Sequence, residues 1–174
     1  MKKDEITSAL KEFQLPEYSQ IPDVGLYLEQ VSRYINGFLA DFPEMEVTPS
    51  MISNYAKQKL FDRVNKKTYT RDQIAVLIFI IMVKNVLSID RIRILLNQIR
   101  SENVSVAVYY ETYRTLLLEV LGSFMDPSAT LQKRMDSSTD KMLENIVITI
   151  SHKMYLDKYF DLYESSEEDK KKAG

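Results

Sequence analysis

Cysteine is absent from the 174 residues, which excludes disulfides, thiolate metal sites and cysteine nucleophiles. That absence fits a reducing compartment. Four glycines and five prolines are too few for the many tight turns of an all-β sandwich or barrel. Long hydrophobic runs are also missing. The longest, Ile74 to Val83, is about half of the ~20 residues that cross a bilayer. The start, MKKDEITSALKEF, is charged and has no apolar stretch of the kind a secretory signal carries. A cytoplasmic protein with no membrane segment is expected. There is a single histidine, His152, and neither a glycine-rich phosphate loop nor a nucleophile elbow. Glu111, Glu119, Asp140 and Glu144 fall at no spacing that suggests a metal site or an acid–base pair. No enzyme, no catalytic or metal-binding residue and no cofactor is expected.

What the chain does have is helix formers, 45% apolar residues and an uneven charge. The formal net charge is −2, but residues 47–100 carry 10 basic and 3 acidic side chains. The stretches on either side, 1–46 and 101–174, are both acidic. Phosphate binding needs local positive potential, not a basic chain. The composition predicts a mostly α protein with one core and a helical appendix.

Local signals set the boundaries. Ile6, Leu10 and Phe13 suggest a short first helix, and Leu15-Pro16 and Ile21-Pro22 force an extended connector. Residues 1–22 read as an N-terminal arm. From Asp23, Leu28, Val31, Ile35 and Leu39 recur at helical spacing, until Pro43 blocks continuation. Two helix starts follow. At the first, Thr48 is the N-cap, Pro49 takes the first helical position, and Val47 staples onto Ile52. At the second, Thr70 and Gln73 form a capping box, with Tyr69 stapled onto Ile74. Between them lies a polar, basic stretch with Asn65-Lys66 at its centre, suited to a small hairpin. The helix from Arg71 to about Val86 is apolar on nearly every side, so burial all round is predicted. Ser88 caps the next helix. Val104–Val108 alternates like a strand but leads into helical spacing through Leu121; helix is the better reading, with strand left open. A last long helix is predicted over about 141–163, followed by a charged, disordered tail over 164–174.

The helix starting at Pro49 carries the chemistry. Ile52, Tyr55 and Ala56 fall on a core-facing side. Ser50, Ser53, Asn54 and Lys57 share the other, at i, i+3, i+4 and i+7. An amide able to pair with adenine, hydroxyls and a lysine suit a major groove. Lys59, Arg63, Lys66, Lys67 and Arg71 surround them with charge for phosphates. A solvated surface helix would show the same polar face.

The segment from Val47-Thr48-Pro49 through Ile52, Tyr55, Leu60-Phe61, Arg63, Lys67 and Tyr69-Thr70-Arg71-Asp72-Gln73-Ile74 resembles the N-terminal domain of MerR-type regulators. The closing segment Leu87-Ser88-Ile89-Asp90-Arg91-Ile92 with Leu95-Leu96 resembles that family too. Taken whole, the chain is similar to a YkrK-like bacterial family sharing this domain. It departs from the MerR pattern at Ser53 and Asn54, at Lys66-Lys67-Thr68, and in the longer acidic connection before Val47.

The resemblance implies a winged helix-turn-helix domain over 23–100, with a recognition helix at about 49–57 and a basic wing over 62–69. It implies a DNA-binding transcriptional regulator working as a homodimer on double-stranded DNA. The candidate DNA-binding residues are Thr48, Ser50, Ser53, Asn54, Tyr55, Lys57, Lys59, Arg63, Lys66, Lys67 and Arg71. Residues 101–163 would then be a helical dimerisation or effector region. Their tyrosines, with Tyr155, Tyr159, Phe160 and Tyr163, suit a core or dimer interface better than an effector pocket. A protein-interaction module that keeps the fold without binding DNA is the alternative.

Overall fold

A computed structural model describes residues 2–62, 67–124 and 138–173. The described residues are mostly helical, with seven α-helices and one two-stranded antiparallel sheet. The elements are α1 (Lys2–Glu12), β1 (Leu26–Tyr27), α2 (Leu28–Phe38), α3 (Pro49–Lys57), β2 (Thr68–Tyr69), α4 (Arg71–Val83), α5 (Ile89–Ser101), α6 (Val106–Ser123) and α7 (Ser138–Ala173).

α4 is the hub, as its composition requires. From Gln73 to Val83 every residue but Val76 is buried. Each of its large apolar side chains contributes about 1.5–3 kcal/mol by leaving water. It packs against α6 and α7. Phe79 is gripped edge-on by Tyr109 and Tyr113, one turn apart on α6, with centroids at 4.9 and 5.0 Å. Among the described residues no helix is long and apolar enough to cross a membrane.

The first 22 residues, the N-terminal arm of the sequence reading, pack onto the helices. Ile6, Leu10 and Phe13 are buried, and α1 packs on α7 and α6. The proline-framed connector that follows is tied down by α6. Arg114 Nε donates to the Leu15 carbonyl at 2.8 Å, the Tyr110 hydroxyl to the Pro16 carbonyl at 2.7 Å, and the Tyr18 amide to Glu111. The connector closes backbone hydrogen bonds of its own at the 3-10 turn Tyr18–Gln20, and beside that turn these α6 side chains supply the partners that extended backbone lacks.

At 104–108 the helical reading holds over the strand left open: the Ser105 side chain accepts from the Val108 amide at 3.3 Å and starts α6. Two other stretches differ from the sequence-based expectations. The last helix continues to Ala173 through the charged stretch expected to be disordered. Glu167 and Glu168 precede Lys171 and Lys172 by four residues, the spacing at which opposite charges support a helix. In addition, β2 pairs with β1, Leu26 opposite Tyr69 and Tyr27 opposite Thr68, a partner upstream of α2 that was not expected, while the centre of the expected hairpin lies outside the described residues. Gly25 makes the approach to β2 feasible. Its φ is +72°, and an added Cβ would sit 3.2 Å from Thr68 Oγ1.

Tyr109 and Tyr113 are buried, and their hydroxyls find no hydrogen-bond partner among the described residues. Burial first, and then the neighbouring tyrosine, pushes both phenols well above their ordinary value. A raised phenol pKa stabilises the fold fully below pH ~10, and that contribution is lost as the pH rises further. Phenolate absorbance from these two is therefore expected to appear only with unfolding. Tyr113→Phe should be at least as stable as the wild type, by up to about 1 kcal/mol in denaturant unfolding, because it removes an unpaired buried hydroxyl. A loss of that size instead would mean the hydroxyl is satisfied.

Candidate nucleic-acid interface

α3 is nine residues long, too short to hold its shape alone. Its position comes from its ends. At the start, Thr48 Oγ1 accepts from the Met51 amide at 3.2 Å and Pro49 occupies the first helical position. Val47 and Ile52 are both buried, as the staple requires. The residue before the cap is then clamped by α2. The Asn36 side-chain amide donates to the Val47 carbonyl and accepts from the Val47 N–H, both at 2.9 Å. Ser32 Oγ donates to the same carbonyl at 2.9 Å.

At its other end α3 closes in a Schellman turn. The Lys59 amide donates to the Ala56 carbonyl at 3.0 Å and the Leu60 amide to the Tyr55 carbonyl at 3.2 Å. Lys59 takes the left-handed position, φ 57°, where glycine avoids a cost of roughly 1–2 kcal/mol.

This framework turns Ile52 and Tyr55 inward and leaves Ser50, Asn54 and Lys57 exposed, with Ser53 half-buried beside them. Lys59 and Lys67 are exposed nearby in sequence, and Thr48 is exposed while serving as the cap. α3 contains no acidic residue. The arrangement offers an amide, a hydroxyl and cations on one face, ahead of the stretch that leads to β2.

Two candidate residues have other duties. Tyr55 is 4% exposed, and burial raises its phenol pKa. It belongs to the core that holds α3, because it sits one turn from Ile52 on the inward side. Arg71 donates from Nε to the Ile21 carbonyl at 2.8 Å, lies 3.8 Å from Asp23 and stacks over Tyr18 at 5.5 Å. These contacts secure the connector. Arg63 and Lys66 lie outside the described residues, as does the centre of the expected hairpin.

Sequence reasoning missed the clamp residues Ser32 and Asn36. It also passed over the exposure of Tyr27, in β1, and of Val24, just before it, at 59% and 86%. The signal for Asn36 was a polar residue on the inner side of an amphipathic helix, close to buried Ile35. The turn that Asn36 spans, residues 39–48, is held as well by Lys84 Nζ on the Glu46 carbonyl at 3.4 Å and Lys158 Nζ on the Asp41 carbonyl at 3.0 Å.

A mostly helical protein with a short, doubly anchored polar helix on its surface is thus the class defined by fold and site. Residues 16–113 match the family described as Domain of unknown function (DUF1836), and the chain belongs to that family. The matched span runs from Pro16 to Tyr113, so it contains the connector, α3, the hub helix and the Tyr110 tie that joins α6 back to the connector. No curated protein and no solved structure matches the chain.

Asn36→Ala should cost about 2–3 kcal/mol in denaturant unfolding, because it leaves the buried Val47 N–H without a partner. A change below about 0.5 kcal/mol, the range of ordinary surface substitutions, would show that the clamp does not hold α3.

Proposed function

We propose that the chain is a sequence-specific DNA-binding transcriptional regulator of MerR-like type, with α3 in the major groove and the basic stretch 62–69 along the backbone. The observation that carries this reading is the exposed face of Ser50, Asn54 and Lys57 on a helix anchored at both ends. A reading helix needs a fixed orientation and hydrogen-bonding side chains at base edges; α3 is anchored at both ends and carries no acidic side chain to repel phosphates. The order of elements gives further support. α2, a turn, α3, a return to a strand paired with β1, and then the hub helix α4 is the sequence of parts a winged helix-turn-helix domain needs.

Asn54 is the residue suited to a bidentate pairing with adenine. Lys57, Lys59 and Lys67 neutralise phosphates, joined by Arg63 and Lys66 from the same stretch. A lysine at the left-handed position 59 fits this role, since a cation there is kept at a conformational cost.

Pairing through α7 completes the proposal. Leu156, Tyr159, Phe160 and Tyr163 stand 51, 41, 55 and 49% exposed at i, i+3, i+4 and i+7, a single apolar stripe. A second copy packing its own stripe against this one would cover it, and a dimer is what two half-sites call for. The same stripe favours the alternative, a module that binds another protein and no DNA.

Capture of genomic fragments by the purified protein at two salt concentrations separates the two. Fragments sharing a site, with two protected half-sites about one helical turn apart, are expected. Lys57→Ala should reduce the slope of log affinity against log salt by about 1, whereas Asn54→Ala should weaken the preferred site about tenfold and leave the slope unchanged. Binding to no fragment at low salt would refute the DNA reading.

A further inference from the structure

Two arginines on α5 repeat one arrangement. Arg93 Nη1 donates to Asp90 Oδ1 at 2.7 Å, while Arg93 Nη2 reaches Gln58, 3.3 Å from its side-chain oxygen and 3.5 Å from its carbonyl. About two helical turns later, Arg100 Nη1 donates to Asn97 Oδ1 at 3.2 Å and Arg100 Nη2 to the Leu60 carbonyl at 2.6 Å. In each case the residue at i−3 holds one limb of the guanidinium and the exit from α3 takes the other. The two exits, Gln58 and Leu60, flank the left-handed Lys59.

We infer that Arg93 and Arg100 form a two-point bracket that fixes the pitch and roll of α3, and so are positioning residues for the face of Ser50, Asn54 and Lys57. One contact at the end of a helix leaves it free to pivot, and two contacts on opposite sides of the same turn do not. The guanidinium is suited by its fork: two limbs of fixed geometry reach α5 and the α3 exit at once, a span that the compact ammonium of lysine does not hold open. The placement also sets positive charge at the negative end of the α3 dipole. With the Asn36 clamp at the start and the bracket at the end, α3 is held at both termini by side chains from neighbouring helices. The consequence for DNA rests on the duplex-binding reading; the bracket itself does not.

Arginine-to-lysine exchange in the full chain keeps the charge and removes the fork. In the free protein, Arg93→Lys with Arg100→Lys is expected to speed amide exchange at Lys59 and Leu60 about tenfold, with α4 amides unchanged. On a captured duplex it should bind about tenfold more weakly, at an unaltered salt slope. Wild-type exchange at Lys59 and Leu60 in that variant would overturn the inference. So would a slope that falls by about one for each arginine changed to alanine while lysine restores affinity, the signature of direct phosphate contacts. The two single variants give the same readings if the double variant fails to fold. If the wild type binds no duplex, the DNA reading falls, and exchange at Lys59 and Leu60 decides the bracket alone.

Discussion

Both polar groups of the Val47 backbone are taken by side chains of α2: the Asn36 amide pairs with the N–H and the carbonyl, and Ser32 adds a second donor to the carbonyl. The arrangement mimics a strand pairing, with an amide side chain in place of a backbone. It sets where the chain leaves the turn after α2, and therefore where Thr48 can cap and where α3 points. Net hydrogen bonds contribute about 0.5–1.5 kcal/mol each, but leaving such a group buried and unpaired costs more. The clamp works mainly by making other placements of α3 expensive.

Behind this clamp, α4 supplies the surface on which everything else rests. Its capping box is complete, with Gln73 Oε1 accepting from the Thr70 amide at 2.9 Å and Thr70 Oγ1 from the Gln73 amide at 3.3 Å. Gln73 also donates to the Asp62 carbonyl, so one buried glutamine joins the end of the stretch after α3 to the start of the hub. The same device, a glutamine reaching back three residues to a backbone amide, recurs as Gln20 on Glu17 and Gln30 on Tyr27, each at 2.9 Å. A search for serine or threonine caps finds only the case at Thr70, because in the other two the N-cap residue has no short hydroxyl.

The features legible in the sequence were those fixed by local chemistry. Thr48 with Pro49, and Thr70 with Gln73, declare helix starts within four residues, and an all-apolar helix too short for a bilayer can only be a core. What was not legible depends on partners distant in sequence. β1 is two residues long and pairs with β2 across more than forty residues, so no alternation was there to read. Tyr55 and Arg71 are of the types that bind nucleic acid, yet Ile52 and its neighbours take the first inward and the Ile21 carbonyl takes the second. Arg93 and Arg100 look like solvated surface charges until the exit of α3 is placed beside them. The candidate face was legible as a helix face, while the residues holding it in place were not.

For a surface whose reading power depends on rigidity, the amide of Val47 is the most direct probe. It lies outside any helix, in a turn between α2 and α3, and would exchange quickly in an ordinary loop. If the clamp holds α3, native-state hydrogen exchange at Val47 should be as slow as at the amides of α4 and should follow global unfolding. Exchange through local opening, orders of magnitude faster than in α4, would contradict the account.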